Sequence, residues 1–160
     1  KSTYIVDLNK ETGQIKHKGT VMTQADSIKK YAGVAKSIWI NDSYWLVMPY
    51  KLKDSGVTLK YKGEMPTEAG VASDVLELTF ENVGRTPENR YLVYVDKNTH
   101  MVTQWQHFRK ASDEKPAMTT PWNNYQKQGK SILSGDRGRN RLLSDVGVLS
   151  KVPKEKFTTL

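Results

Sequence analysis

The sequence predicts a mainly β protein of the α+β class, in which one main helix lies on the concave face of a curved antiparallel sheet or half-barrel. From residue 57 onward, short strand-like segments alternate with short polar loops, which is typical of antiparallel neighbours. The stretch 24–38 repeats small and apolar residues at helical spacing. The segment 91–95 is apolar at every position, so both of its faces need cover.

The chain begins with two strand-like segments, 3–8 and 14–22, joined by a turn that contains asparagine and glycine. Thr23 follows and is a suitable N-terminal cap for the helix over 24–38. We expect a second short helical or irregular piece over 41–49.

The remaining strands are expected at 57–64, 74–83, 90–96, 101–110, 118–127, 130–135 and 142–149. In the first of them, the apolar residues Val57, Leu59 and Tyr61 alternate with polar ones, which is typical of a sheet with one solvated face. Sequential pairing would make these strands one extended sheet. The register across 91–108 is left open by one residue, because such a slip exchanges the two faces.

Length and composition indicate one domain over residues 1–160. The absence of cysteine excludes disulfides, thiolate metal sites and cysteine nucleophiles. No apolar run approaches the roughly 18–20 residues that a membrane-spanning helix needs. Because the chain starts at Lys1 and runs at once into a strand-like segment, we expect a mature or truncated form without its natural N-terminal part.

The net charge of +8 predicts attraction to polyanions, which include nucleic acid, anionic lipid and acidic protein partners. Nucleic-acid binding is disfavoured, because the aromatic residues are expected opposite the lysines rather than among them. The stretch 135–141 (GDRGRNR) has two interpretations, a phosphate-binding strip or a solvated loop, and the loop is favoured. An anionic membrane surface therefore stays a candidate partner.

No pattern predicts catalysis, a metal or a cofactor. The histidines, His17, His100 and His107, lie in no metal-ligand spacing. His100 and His107 are expected on one strand, facing opposite sides because their separation is odd. The G-x-S-x-G turn of a serine nucleophile is missing. The protein is therefore expected not to be an enzyme, although carboxylates that meet only in space are not visible in a sequence.

Two stretches carry a resemblance to a known group of proteins. The segments IWINDSYWLVMPYKLKDSGVTLKY and DVLELTFENVGRTPENRYLVYVDKNTHMVTQWQHF resemble an uncharacterised family of Gram-negative envelope proteins. That family is similar in architecture to the outer-membrane lipoprotein carriers, the LolA/LolB-like half-barrel. The resemblance covers about residues 30–135 and includes the VD-x-x-T hairpin turn at 95–102. Carriers begin with a helix and strands that lie before the start of this chain.

The resemblance implies a periplasmic or outer-membrane-associated cell-envelope protein whose concave apolar face takes up lipid or a lipoprotein acyl chain. An acyl chain needs an unbroken apolar surface with few polar partners. The candidate ligand-binding residues are the large apolar ones of the aromatic run and the strands: Trp39, Ile40, Tyr44, Trp45, Leu46, Met48, Leu59, Tyr61, Leu76, Leu78, Phe80, Trp105 and Trp122. The competing interpretation is that these residues form the core.

Three functions follow from these alternatives. The first is a non-enzymatic carrier of an apolar ligand that also docks on an outer-membrane protein complex. The second is a structural or interaction module of such an assembly, with its concave face filled by its own side chains and no ligand. The third is an enzyme acting on a small envelope substrate, which would require titratable groups clustered in the cavity.

Overall fold

The computed structural model describes residues 1–139 and 141–160. It confirms the α+β class: the chain is mainly β, has one main helix, and its antiparallel sheets are open. The chain folds as two compact units, Lys1–Trp45 with Val148–Leu160, and Leu46–Gly147. The assignment of 1–160 to one domain stays a prediction. Within the described residues, no helix has both the length and the apolar character needed to cross a membrane.

The elements in chain order are β1 (Ser2–Asp7), β2 (Thr12–His17), β3 (Thr20–Val21), α1 (Ala25–Val47), a 3-10 helix (Met48–Lys51), β4 (Val57–Pro66), β5 (Ala72–Phe80), β6 (Arg90–Asp96), β7 (Val102–Phe108), β8 (Met118–Pro121), β9 (Asn123–Gln128), β10 (Ser131–Asp136) and a 3-10 helix (Lys154–Phe157).

The first unit contains a three-stranded antiparallel sheet in the order β1-β2-β3. The predicted strand 14–22 is interrupted, because Lys18 and Gly19 both adopt positive φ angles, 49° and 86°, and turn the chain between β2 and β3. The ring of His17 lies 4.9 Å from the ring of Tyr31 on α1. Gln14 of β2 donates a hydrogen bond of 3.0 Å from Nε2 to the carbonyl oxygen of Thr158, which ties the C-terminal segment to this sheet.

The helix is longer than predicted. The sequence predicts a helix over 24–38 and a separate short piece over 41–49, whereas α1 runs without interruption from Ala25 to Val47. The polar residues after Ile40 do not break it. Ser43 donates from Oγ to the carbonyl oxygen of Ile40 at 3.1 Å, so its hydroxyl is satisfied inside the helix rather than in a turn.

The second unit contains a five-stranded sheet in the order β4-β5-β6-β7-β8, with every neighbouring pair antiparallel. This confirms the predicted meander. The open register is also settled, because Tyr91 pairs with His107 and Val93 pairs with Trp105. Adjacent Val93 and Tyr94 point to opposite faces and are both buried, as an apolar strand covered on both sides requires.

The prediction of one extended sheet is wrong. The predicted strand 118–127 is split at Trp122 into β8 and β9, and within residues 1–139 and 141–160 β9 pairs with β10 alone, in a separate two-stranded sheet. Asn124 has a φ angle of 53°, which a regular strand does not contain and which asparagine tolerates better than most residues. This left-handed residue marks a local departure from extended geometry near the split.

The predicted strand 142–149 is also wrong. Its only strand-type pairing is an isolated bridge between Leu142 and Asp136 within the described residues. Asp145 has a φ angle of 56°, so the chain turns in the middle of the predicted strand. Val148 and Leu149 are 64% and 66% exposed, so their side chains gain little from the burial that stabilises a strand in a sheet.

Candidate functional site

The candidate site is one face of the five-stranded sheet, which we call the aromatic face. The strand registers place two rows of residues side by side on it. One row is Leu59, Leu78, Tyr91, His107 and Met118, and the other is Tyr61, Leu76, Val93, Trp105 and Thr120. Phe80 lies on the same face, two residues beyond Leu78 on β5. Trp122 follows β8, and its backbone N–H donates to the carbonyl oxygen of Thr103 at 2.8 Å.

The aromatic rings of this face touch in sequence across the sheet. Phe80 meets Tyr91 edge-on with ring centroids 5.9 Å apart, and Tyr91 stacks on Trp105 at 5.0 Å. Tyr91 also lies 5.0 Å from the ring of His107. Trp105 meets Trp122 edge-on at 5.5 Å. Aromatic pairs at these separations stabilise each other beyond the area they bury, so the rings form one connected cluster.

Burial is uneven over the aromatic face. Leu78, Val93, Trp105 and Trp122 are almost fully buried, at 0–2% exposure. Leu59, Leu76 and Phe80 are half-buried, and Tyr61 is 57% exposed. The hydroxyl of Tyr61 donates to Oδ1 of Asp74 at 3.0 Å, and this hydrogen bond raises the pKa of Tyr61. The face is therefore closed at its centre and open at its β4 edge.

The structure places seven members of the predicted site on the aromatic face or beside it. Leu59, Tyr61, Leu76, Leu78, Phe80 and Trp105 share the aromatic face, with Trp122 next to Trp105. The others lie on α1 or immediately after it. Ile40, Tyr44 and Trp45 are half-buried in the first unit, where Trp39 is 57% exposed. Leu46 is half-buried in the second unit, and Met48 is fully buried there.

Seven residues that lie on the aromatic face or against it were not predicted: Tyr91, Val93, Thr103, His107, Met118, Thr120 and Arg137. Strand alternation would have found Thr103 and His107, because each lies two residues from Trp105 on the same strand. The prediction that His100 and His107 lie on one strand is wrong. His100 has a φ angle of 58° and lies in the turn before β7, so it does not share a strand with His107.

Arg137 contradicts the interpretation of 135–141 as a solvated loop. Its side chain is 1% exposed, and its Cζ lies 3.3 Å from the ring centroid of Trp122. Arg139 and Arg141 are exposed, as that interpretation expects, while Asn140 lies outside the described residues. Alternation along a strand cannot reveal such a contact, because the chain leaves β10 at Asp136.

The guanidinium of Arg137 is held by oxygen atoms at the end of β10. Nη1 donates to Oγ of Ser134 at 2.7 Å and to the carbonyl oxygen of Asp136 at 3.1 Å. Nη2 donates to the carbonyl oxygen of Ser134 at 2.9 Å. Burial lowers the pKa of Arg137 to about 10, so the side chain keeps its positive charge at neutral pH. A buried cation therefore lies against the last ring of the aromatic cluster.

Several polar atoms of the aromatic face are shielded from solvent and have no hydrogen-bond partner among the described residues. They are Oγ1 of Thr103, Nε2 of His107, Oγ1 of Thr120 and Nε1 of Trp122. Burial, followed by the charge of Arg109, lowers the pKa of His107, so its imidazole is neutral at pH 7. Buried polar groups in proteins nearly always have partners, so this concentration is unusual.

A depression lies beside the β9-β10 hairpin and has a volume of about 280 Å³. Its apolar lining comes from Leu133, Leu142, Leu143 and Val146, but polar side chains such as Gln126 complete it. No aromatic side chain of the described residues lines it. It is therefore a poorer match than the aromatic face for a ligand that needs a continuous apolar surface.

Within residues 1–139 and 141–160, no three histidine, aspartate, glutamate or cysteine residues cluster so as to hold a metal ion. Compared with protein-family models, with curated proteins and with solved structures, the chain matches none. The α+β fold and the aromatic face of the five-stranded sheet are therefore the features on which a proposal about function has to rest.

Proposed function

We propose that this chain is a non-enzymatic cell-envelope protein, periplasmic or associated with the outer membrane of a Gram-negative bacterium, that binds a lipid or a lipoprotein acyl chain on the aromatic face. The observation that carries the proposal is the strand register. It puts Leu59, Leu78 and Tyr91 in one row and Tyr61, Leu76 and Trp105 in the next. The residues named here form an apolar surface that is continuous from β4 to β6 and reaches Trp105 on β7.

Such a surface suits a chain of methylene groups. Each buried methylene contributes roughly 0.8 kcal/mol, so an acyl chain gains affinity in proportion to the length that it lays on the face. The half-buried side chains of Leu59, Leu76 and Phe80, together with exposed Tyr61, leave apolar area at the β4 edge for a ligand to cover. The ligand would enter from this edge, because the centre of the face is closed.

The overall charge favours approach to an anionic surface, whereas the lysines on the face opposite to Leu59 are partly neutralised by Glu77. Lys60 is exposed and pairs across the strands with Glu77, on the face opposite to Leu59. Lys62 lies 3.7 Å from the same carboxylate. The net charge of +8 adds a long-range attraction to anionic lipid headgroups, so an anionic membrane or an acidic outer-membrane complex is the expected partner.

The test measures binding of a fluorescent fatty acid and detects co-purified lipid by native mass spectrometry. Leu59→Gln places a polar group on the aromatic face and should weaken binding at least about 10-fold, which corresponds to about 1.4 kcal/mol. Thr58→Gln is the matched control, because Thr58 is the exposed neighbour on the opposite face. Circular dichroism confirms that both variants fold. Equal affinities for the two variants would contradict binding on this face.

The second candidate function, a structural or interaction module with no ligand, is favoured by one observation. Trp105 and Trp122 are 2% and 1% exposed, which is the burial expected of a core. Under this alternative, the wild-type protein takes up no fluorescent fatty acid and carries no lipid in native mass spectra. Uptake that Leu59→Gln removes and Thr58→Gln preserves would exclude it.

A further inference from the structure

We propose that the first unit docks on a bilayer surface that contains anionic phospholipid, through one surface that we call the basic outer surface. This surface consists of Lys16 and Val21 on the outer face of the three-stranded sheet, together with the segment 148–160. The inference rests on the proposed function for its partner, an anionic membrane, but it needs no acyl ligand on the aromatic face. The two can therefore fail separately.

The three-stranded sheet has an inner face towards α1 and an outer face away from it. Ile15 is fully buried, and His17, two residues further along β2, places its ring 4.9 Å from that of Tyr31 on α1. Lys16 lies between these two residues and therefore leaves the opposite face, together with its partner Val21 on β3. Both Lys16 and Val21 are exposed.

The end of the segment 148–160 lies on the same outer side. Gln14 precedes buried Ile15 on β2, so its side chain points away from α1. Its Nε2 donates to the carbonyl oxygen of Thr158 at 3.0 Å. The 3-10 helix Lys154–Phe157 comes directly before Thr158. This contact therefore places the 3-10 helix beside the sheet face that carries Lys16.

Large apolar side chains are exposed over this surface. Phe157 is 66% exposed and Val21 is 53% exposed, and Val152, Leu149 and Val148 are exposed as well. Of the twelve large hydrophobic side chains that are exposed among the described residues, eight belong to the first unit, which holds little more than a third of the chain. A concentration of exposed apolar side chains is typical of a surface that binds a protein or a membrane.

The charge of the surface selects between these partners. The segment 148–160 carries three lysines, Lys151, Lys154 and Lys156, and one carboxylate, Glu155. Among the described residues, none of the three lysines forms an ion pair. The first unit as a whole has ten lysines and five carboxylates, so it carries a net charge of +5 out of the +8 of the chain. A second copy of this surface would be repelled, whereas anionic headgroups are attracted.

The mixture of lysines and apolar residues fits a lipid interface better than a nucleic acid. Val152 and Phe157 can enter the boundary between headgroups and acyl chains, while the lysines next to them stay at the level of the headgroups. A nucleic acid would neutralise the lysines but leave the apolar side chains in water. An anionic bilayer satisfies both kinds of side chain.

The experiment measures co-sedimentation of the full chain with lipid vesicles. Vesicles of phosphatidylcholine are compared with vesicles in which about one third of the lipid is phosphatidylglycerol. We expect the wild type to bind the anionic vesicles at least about 10-fold more tightly. Binding should weaken as the salt concentration rises from about 0.05 M to about 0.5 M, because salt screens the attraction between lysines and headgroups.

A double variant tests the charges of the surface. Lys154→Gln combined with Lys156→Gln should weaken binding to the anionic vesicles at least about 10-fold. The matched control is Lys127→Gln combined with Lys130→Gln, because these lysines are exposed in the second unit and the net charge of the two double variants is equal. The control should weaken binding by less than about 3-fold, since only the long-range attraction is reduced.

A second variant tests the apolar part. Phe157→Ser should weaken binding to the anionic vesicles at least about 5-fold, because the ring no longer enters the interface. Leu142→Ser is the matched control, since Leu142 is 68% exposed but belongs to the second unit, and it should leave binding unchanged. All of the substituted side chains are exposed, so the variants should keep their fold, which circular dichroism checks.

Equal binding to the two kinds of vesicle, or equal losses in the two double variants, would overturn the inference. Unchanged binding in Phe157→Ser would mean that the surface attracts polyanions in general, with the same consequence. A dimer in analytical ultracentrifugation that Phe157→Ser dissociates would show that a second copy covers the surface instead. Vesicle binding without uptake of the fluorescent fatty acid removes the acyl ligand of the proposed function and leaves the inference standing, and fatty-acid uptake without vesicle binding does the reverse.

Discussion

The guanidinium Cζ of Arg137 lies 3.3 Å from the ring centroid of Trp122, although the two residues belong to different parts of the chain around the β9-β10 hairpin. Trp122 in turn meets Trp105 edge-on at 5.5 Å. A buried cation, two indole rings and the five-stranded sheet are therefore connected in one packed arrangement. This arrangement joins the separate two-stranded sheet to the aromatic face.

The first prediction concerns Arg137. Arg137→Met keeps the aliphatic length but removes the charge and the donors to the carbonyl oxygens of Ser134 and Asp136. We expect the free energy of unfolding to fall by about 1–3 kcal/mol, measured by urea denaturation. Arg139→Met is the control, because Arg139 is exposed, and it should change the value by less than about 0.5 kcal/mol. A neutral or stabilising Arg137→Met would mean that burying the charge costs more than its contacts return.

The second prediction compares two tryptophans of the predicted site. Trp105 is 2% exposed within the aromatic cluster, so Trp105→Ala should lower the free energy of unfolding by about 3–5 kcal/mol. Trp39 is 57% exposed on α1, so Trp39→Ala should change it by less than about 1 kcal/mol. Chemical denaturation at one pH measures both. A similar decrease in the free energy of unfolding for the two variants would show that Trp39 contributes more to stability than its exposure indicates.

The third prediction concerns Gly56, which precedes β4. Its φ angle is 77°, and a Cβ atom there would lie 2.4 Å from Cγ1 of Val83. Gly56→Ala should therefore destabilise the protein by about 1–2 kcal/mol for the left-handed backbone and by about 1–3 kcal/mol more for the clash. Gly70→Ala is the matched control, with a φ angle of 81° and no atom within 4 Å. Thermal melts should show the larger loss for Gly56→Ala, and equal losses would refute the clash.

The fourth prediction concerns pH. Burial lowers the pKa of His107 below its ordinary value of 6.5, so the unfolded chain binds a proton at a higher pH than the folded protein does. The contribution of His107 to stability is fully present above pH 6.5 and is lost as the pH falls through the folded pKa. Urea midpoints measured between pH 7.5 and pH 5 should fall for the wild type and less for His107→Gln.

The control for this prediction is His100→Gln, because His100 is exposed in the turn before β7. It should keep the pH dependence of the wild type. Titration of the His107 ring by NMR gives the folded pKa directly. A value at or above that of an exposed histidine would contradict the burial of this ring.

The sequence by itself determined the class of the fold and most of the sheet. Alternation in Val57–Tyr61 and around Leu76 indicated which residues share a face, and the registers of β4 and β5 confirm it. The hairpin between β6 and β7 was equally visible in the sequence, as the VD-x-x-T turn. In the structure, Oδ1 of Asp96 accepts a hydrogen bond from the backbone N–H of Asn98 at 2.8 Å in this turn. These features depend on strand periodicity and on local turn chemistry, which a linear pattern contains.

Only the tertiary structure decided where regular elements end and what lies against the aromatic face. The extension of α1 to Val47, the split at Trp122 and the turn at Asp145 overrode local propensities that predicted otherwise. The burial of Arg137 against Trp122 joins residues on either side of a hairpin. Its physical reason is that a guanidinium leaves water only where carbonyl oxygens and an aromatic ring meet in space, and no spacing along the chain encodes that meeting.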